Sequence, residues 1–269
     1  MDNLLRFHKN GLVEMSILVN KMDYSYKIYY PGGNKTALVL GLVEENTIRK
    51  EINDDILTRH PDVEQVGFIS TTGSPQLLMA GGEFCGNASR CAAYEYLHGE
   101  EGVLSLKVYD GSWTIRVGIE NNITWAEIPR FSKLVDNVTL LDQGIYKVRL
   151  PGITHLVCVG LKKAPQQEAQ KIMDCYQEQA ECLGVIFTDF IRIQPIVSVK
   201  SLQTLYYETA CGSGSVAVAL VKAHQSSDFK NLPLLQPSGE QLIVELDGER
   251  PVISGRLSEL LYFSAKIDL

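Results

Sequence analysis

Two short stretches constrain this chain more than anything else in it: "EFCGNASRCAA", Glu83 to Ala93, and "ETACGSGSVAVAL", Glu208 to Leu220. Each sets a Cys-Gly pair in front of small residues at helical spacing, so each reads as a tight turn that opens a helix. A cysteine there faces the unpaired N–H groups of the helix start and the positive end of its dipole, which lower a thiol's pKa and attract anions. One such turn alone is most simply a small residue packed in a bend. Two of them in matching context indicate a pair.

The contexts do match. Ahead of Cys85 the chain runs through strand-like "EMSILVN", "YKIYY" and "TALVLGLV", a helix in "ENTIRKEINDDILTRHP" with Ile48, Ile52 and Ile56 at helical spacing, and a strand in "VEQVGFIST". A helix from Gly86 to about Leu97 follows, then strands in "LSLKVYD", "WTIRVGI" and "ITWAEIP". Ahead of Cys211 come "YKVRL", "THLVCVG", a helix in "PQQEAQKIMDCYQEQA", and strands "GVIFTDF" and "RIQPIVSV". The second Cys-Gly helix ends near His224, before "QLIVEL", "PVISGRL" and "LYFSAKI". The same order of elements occurs twice, with little residue identity outside the Cys-Gly turns, and predicts an α+β fold of two related domains meeting near Asn121-Asn122.

A chain of 269 residues, 45% hydrophobic and 21% charged, can bury a core for two modest domains. Its formal charge of -7 argues against a general nucleic-acid binder, because phosphate affinity needs clustered Lys and Arg. No apolar run is long enough to span a bilayer, and "MDNLLRFHKNG" lacks the apolar segment of a signal peptide, so the expected location is the cytoplasm. There the six cysteines are expected to be reduced, and their spacing lacks the close pairs of a zinc site, so no metal is expected. Cys91, Cys158, Cys175 and Cys182 read as packing residues, and His155 and His224 as structural. "CGSGS" lacks the lysine and spacing of a phosphate loop.

Gly86, Gly212 and Gly214 allow a ligand to approach the backbone, so two facing helix starts could hold one carboxylate while presenting two thiols to the carbon beside it. A thiolate removing the alpha proton of an amino acid from one face, with a thiol delivering another to the opposite face, inverts the centre. Each positioned proton transfer is worth roughly a hundred- to ten-thousandfold, and no electron-sink cofactor is strictly required.

These residues resemble a family, the diaminopimelate epimerase-like, cofactor-independent amino-acid racemases. "FCGNASRC" and "ETACGSG" are similar to its two Cys-Gly motifs, "YYPGGNKTALV" and "EQVGF" to the segments that bring Asn34 and Gln65 to the substrate, and "QPSGEQLIVEL" to a late Pro-Gly strand. The resemblance runs from about Tyr26 to the C-terminus. It implies catalysis by Cys85 and Cys211, binding of a free amino acid by Asn34, Gln65, Gly86, Asn87, Glu208, Gly212 and Ser213, and no cofactor or metal. It also implies two pseudo-symmetric domains, each a sheet wrapped around a central helix, with the site in the cleft: residues 1–121 with about 260–269, and residues 122–259. Residues 1–24 (the first twenty or so lie outside the resemblance) are left as an added strand or a homodimer contact.

The departures narrow the substrate. Diaminopimelate enzymes hold a distal carboxylate and ammonium with asparagines and a Glu-Arg pair; here "SLQTLYYETACG" lacks the pair, Ile153 and Gly184 stand near asparagine positions, and "LLMAGGEF" lacks another. A charged distal group would be left unpaired in a desolvated pocket. "IQP", "LQTLYYETACGSG" and "MAGGEFCGN" resemble instead the histidine racemases that supply D-histidine for opine-type metallophores. Tyr206, Tyr207 and Met79 are candidates for contact with an imidazole, although tyrosine pairs in strands are more often core. Two alternatives remain open: a racemase or epimerase of another amino acid, diaminopimelate- or proline-type (Asn87 speaks against the latter, because that family reads Cys-Gly-His), and a non-catalytic ligand-binding or redox-thiol protein.

Overall fold

In the computed structural model, the described residues are 21–109, 111–129, 137–150, 152–176, 179–200, 204–226, 230–246 and 251–268. The expected strand "EMSILVN" lies outside them. The first half runs β1 (Lys21–Tyr30), β2 (Thr36–Leu40), α1 (Asn46–Arg59), β3 (Gln65–Ile69), β4 (Leu77–Met79), α2 (Gly86–Tyr96), β5 (Gly102–Val108), β6 (Trp113–Glu120) and β7 (Ile123–Glu127). The second runs β8 (Val138–Asp142), β9 (Ile145–Leu150), β10 (Ile153–Val159), α3 (Pro165–Tyr176), β11 (Cys182–Thr188), β12 (Ile193–Val199), β13 (Thr204–Tyr207), α4 (Gly212–Gln225), β14 (Asn231–Leu235), β15 (Gln241–Glu245) and β16 (Val252–Gly255). A last strand, β17 (Ser258–Asp268), lies antiparallel to β1.

The repeated grammar becomes a repeated topology. In the first half an antiparallel β1–β2 pair leads through α1 to a parallel β3; in the second, β9–β10 leads through α3 to a parallel β11. Each half then sends out a cysteine-headed helix and a three-strand antiparallel meander. The meanders fuse where β16 pairs with β7, giving one six-stranded sheet in the order β14-β15-β16-β7-β6-β5. The fold is thus α+β and two-domain, and this shared sheet closes over both cysteine helices. Asn121 and Asn122, both at positive φ, form the tight turn of the β6–β7 hairpin.

Strand periodicity explains the layers. Along β1 and β2, Tyr26, Ile28, Ala37 and Val39 pack with Ile52 and Ile56 of α1, while Tyr29 and Leu38 point the other way into the central core with Ala88, Cys91 and Ala92 of α2. On β10 and β11, Leu156, Cys158, Leu183, Val185 and Phe187 face α3, whereas Val157 and Ile186 join the α4 residues Val216 to Val221. Strands buried on both faces read as the near-continuous apolar runs seen in the sequence. Each cysteine helix is covered by strands, which is why the first turns of α2 are small residues around the buried Arg90 and α4 is small and apolar through Val221. Among the described residues no helix is long and apolar enough to cross a membrane.

Candidate functional site

Cys85 and Cys211 are the N-cap residues of α2 and α4, and their backbones are nearly superimposable: φ -128° and ψ 116° for Cys85, φ -127° and ψ 106° for Cys211. Both thiols accept from the amide three residues on, Ala88 at 3.4 Å and Gly214 at 3.3 Å. Both cysteine carbonyls accept from a serine hydroxyl four residues on, Ser89 at 2.8 Å and Ser215 at 2.7 Å. The shared pattern Cys-Gly-x-x-Ser therefore has a physical reason: the sulfur caps the amide three residues on, and the serine hydroxyl bonds back to the cysteine carbonyl that opens the helix. The two helix starts abut, since a Cβ on Gly212 would lie 3.3 Å from the Asn87 amide nitrogen. Glycine is what lets them meet.

Both thiols line one cavity, together with Asn34, Gln65, Asn87, Glu208, Gly212 and Ser213. Of the catalytic and binding residues that the resemblance implies, only Gly86 is outside this lining; it is buried against Ile253 of β16. Tyr206 also lines the cavity, Tyr207 stands half exposed on the same edge strand, and Met79 is buried in the core. Cys182 lines the cavity as well, Cys91 and Cys158 pack as expected, and all six cysteines are free. Cys175 corrects the expectation, because it faces outward on α3 and is exposed.

The surroundings of the two thiols differ. Cys85 donates to Gln65 Oε1 at 3.1 Å, and Gln65 is oriented by its own Nε2–H donating to Thr36 Oγ1 at 2.7 Å. Cys211 shares the cavity with Glu208 and lies 3.7 Å from the Ser213 hydroxyl, which in turn is 3.0 Å from His155 Nε2. His155 fits because its strand partner is Gly184: a Cβ there would fall 2.2 Å from His155 Nδ1. Gln236 accepts from the Cys211 amide at 3.0 Å and donates to Ser215 Oγ at 3.1 Å, fixing the second cap from outside the helix.

Burial outweighs the helix ends in setting the protonation of these groups. Desolvation pushes the Cys85 thiol up to about 12, against the pull of the Ala88 amide. Desolvation, then the charge of Glu208 and its hydrogen bond, put Cys211 well above the usual thiol range. This corrects the expectation of lowered thiols. Burial also lifts the Glu208 carboxyl to about 8 and holds His155 neutral, down to about 3. One consequence can be tested on the thiol alone. In a Cys85→Ala background, Glu208→Gln is expected to shift the pH profile of Cys211 alkylation by iodoacetamide to lower pH, since a negative neighbour is removed; an unchanged or higher midpoint would contradict the coupling.

A latch joins the halves at the edge of the cavity. Glu64 accepts from Thr209 N–H at 3.0 Å and from Asn34 Nδ2–H at 3.2 Å, and also takes the Thr209 hydroxyl proton donor, while the Asn34 amide donates to Thr209 Oγ1 at 2.5 Å. Asn34 holds φ 52°, and its Oδ1 is buried without a hydrogen-bond partner. The loop before it approaches so closely that a Cβ on Gly33 would lie 2.8 Å from both Ala210 and Ser238. Glu64, Glu83, His155 and Gln236 had no local signature in the sequence: a lone charge or amide beside a strand looks like a solvated residue until the fold brings its partner to it.

The description "Histidine racemase CntK N-terminal domain" matches residues 23–254. The chain belongs to this family. It is an isomerase, an amino-acid racemase. A histidine racemase of Staphylococcus aureus is 25% identical over 252 residues, covering 84% of this chain and 89% of its own length. One from Fusobacterium nucleatum subsp. nucleatum is 28% identical over 240 residues, covering 81% and 88%. Among solved structures, a hydroxyproline epimerase from Agrobacterium vitis with bound trans-4-hydroxy-L-proline aligns with a TM-score of 0.61 at 12% identity, over 91% of this chain and 92% of that one. A PhzF-family phenazine biosynthesis protein from Enterococcus faecalis aligns with a TM-score of 0.57 at 16% identity, over 91% and 99%. Both show the same fold.

Proposed function

We propose that the chain interconverts L- and D-histidine by a two-base mechanism in which Cys85 and Cys211 serve opposite faces of the alpha carbon. The observation that carries this reading is the mirrored pair of thiols at abutting helix starts in one cavity. The substrate carboxylate sits at the two helix N-termini, where backbone N–H groups stabilise the charge that develops on it as the alpha proton leaves. The thiolate of one cysteine takes that proton and becomes a thiol; the thiol of the other delivers its proton to the opposite face and becomes a thiolate. The product leaves the two protonation states exchanged, and the antipode runs the same steps in reverse. An alpha-ammonium held near Glu64 and Glu208 supplies the positive charge that a buried thiolate otherwise lacks.

The choice of histidine is supported by the relatives' names and by the charge of the cavity. Its described lining contains Glu64, Glu83 and Glu208 and no Lys, Arg or His. Such a lining offers no cation to pair with the distal carboxylate of diaminopimelate, and accepts a ring that is neutral or cationic near neutral pH. L-Histidine in deuterated water is expected to give D-histidine labelled at the alpha carbon, approaching equal amounts of both enantiomers, with meso-diaminopimelate unchanged; chiral chromatography with mass detection reads both. Faster epimerisation of diaminopimelate than racemisation of histidine would sink the substrate reading, and unlabelled D-histidine would count against exchangeable thiols as the donors. We place the reaction in the cytoplasm, where thiols stay reduced, and its product in opine-metallophore assembly, as the resemblance to that group of racemases implies.

A further inference from the structure

The cavity contains an acid that the two-base mechanism does not use. Glu83 lies two residues before Cys85, and its Oε2 is buried without a hydrogen-bond partner. Around it the cavity wall is made by Ile153, Cys182, Val197 and Val199 of the second half. The fit is tight: a Cβ on Gly81 would come within 2.6 Å of Glu83 Oε2 and 3.0 Å of Val199 Cγ1, and one on Gly152 would lie 3.0 Å from the Glu83 Cα. The carboxyl therefore lies close over Gly81, in a gap that Val199 also borders. Burial raises its pKa, and the amides of Glu83 and Gly81 offset only part of that, with Arg49 the smallest contributor. A buried polar oxygen with no partner is a cost to the free protein, removed when a ligand completes it.

We propose that Glu83 Oε2 accepts the hydrogen bond of the substrate's imidazole N–H, and that this contact sets the side-chain specificity of the racemase. The inference rests on histidine being the substrate and names the group that reads its ring. A planar ring slides along Ile153, Cys182 and Val199 and presents its N–H edge to the carboxyl. An aromatic ring with no N–H leaves the oxygen unpaired, and an ionised carboxylate side chain has no donor to offer it. Sites built to hydrogen-bond a substrate group reject analogues lacking it far more strongly than apolar slots reject a change of size.

The test compares L-histidine with L-3-(2-thienyl)alanine, a ring of similar size without N–H, by alpha-deuterium incorporation in deuterated water. The wild-type protein is expected to prefer histidine by at least about a hundredfold in kcat/KM. In Glu83→Leu this ratio is expected to collapse to within about tenfold, the loss on histidine falling mainly in KM; Glu83→Gln, which keeps an acceptor, retains most of the preference. A merely structural role would slow both substrates together and leave the ratio intact, which would overturn the proposal. If Glu83→Leu does not fold, the wild-type ratio and Glu83→Gln decide: no wild-type preference for histidine over the thienyl analogue, or the same preference lost in Glu83→Gln with its KM unmoved, overturns it. Failure of the wild-type protein to turn over histidine at all defeats the substrate reading. Wild-type turnover with an unaltered ratio in Glu83→Leu defeats only the role of Glu83.

Discussion

Replacing either Cys85 or Cys211 by alanine is expected to lower racemisation by about a thousandfold or more while the fold survives, because in the proposed mechanism each variant removes the acid–base group that serves one face. The structural loss is small by comparison: a capping contact to Ala88 or Gly214, worth about 1 kcal/mol. The two variants should also differ from each other in an informative way. With one thiol left, an enantiomer whose proton faces it still exchanges that proton with solvent but returns to its own configuration. One variant is thus expected to wash deuterium into L-histidine only, and the other into D-histidine only. Near-normal racemisation by either variant would refute the two-base assignment, and equal wash-in of both enantiomers by one variant would show that a single group reaches both faces.

Arg90→Met is expected to cost about 4 kcal/mol of stability, or a fall in Tm of about 10 °C. Arg90 is fully buried on α2 and donates to neutral acceptors from four separate segments: Thr124 O and Oγ1, Pro31 O, Asn87 Oδ1 and Arg256 O, at 2.8 to 3.2 Å. Burial lowers its pKa only to about 10, so it stays charged at neutral pH. Methionine fills much of the volume but leaves those carbonyls desolvated and unpaired. Arg90→Lys should recover little, because a single ammonium cannot reproduce a planar fork spanning these positions. The fork also holds Asn87, whose Nδ2–H reaches Ala210 O at 3.4 Å just before Cys211, so activity should decline along with stability. A Tm change under about 3 °C in calorimetry would show that the network relaxes without it.

The elements were largely legible because their signals are local. The Ile48–Ile52–Ile56 spacing marks α1, the Cys-Gly turns mark the starts of α2 and α4, and those helices end within a residue or two of the expected Leu97 and His224. What could not be read is what depends on pairing across the chain. Nothing in "ITWAEIP" and "PVISGRL" announces that β7 and β16 are neighbours, nor that Arg90, on an otherwise small-residue helix, faces inward. The same holds at the site. Cys85, Cys211, Gln65 and Asn34 could be named from their motifs, whereas Glu64 acquires meaning only when Thr209 arrives beside it and His155 only when Gly184 clears its space. Even the thiol pKa values were misjudged for this reason, since a helix start is visible in sequence and the depth of its burial is not.

The pairing of β17 with β1 has a consequence for how this molecule reaches its native state. Ser25 and Ser264 stand side by side although 239 residues separate them, and β1 and β17 pair along almost their whole length. During synthesis β1 is made well before β17: its Tyr26–Tyr29 stretch can pair with β2 at once, whereas the edge that β17 covers lacks that partner until the intervening segments have been made. So high a contact order slows folding, because the entropy of closing the largest loop must be spent before its contacts form. An unpaired strand edge is also a template for the same strand of another nascent copy. Charge guards that edge meanwhile: Lys27, which pairs with Glu95 of α2 at 2.9 Å and reaches Glu259 of β17 at 3.6 Å, and Asp23, which meets Lys266 of β17 at 3.1 Å, both lie on β1.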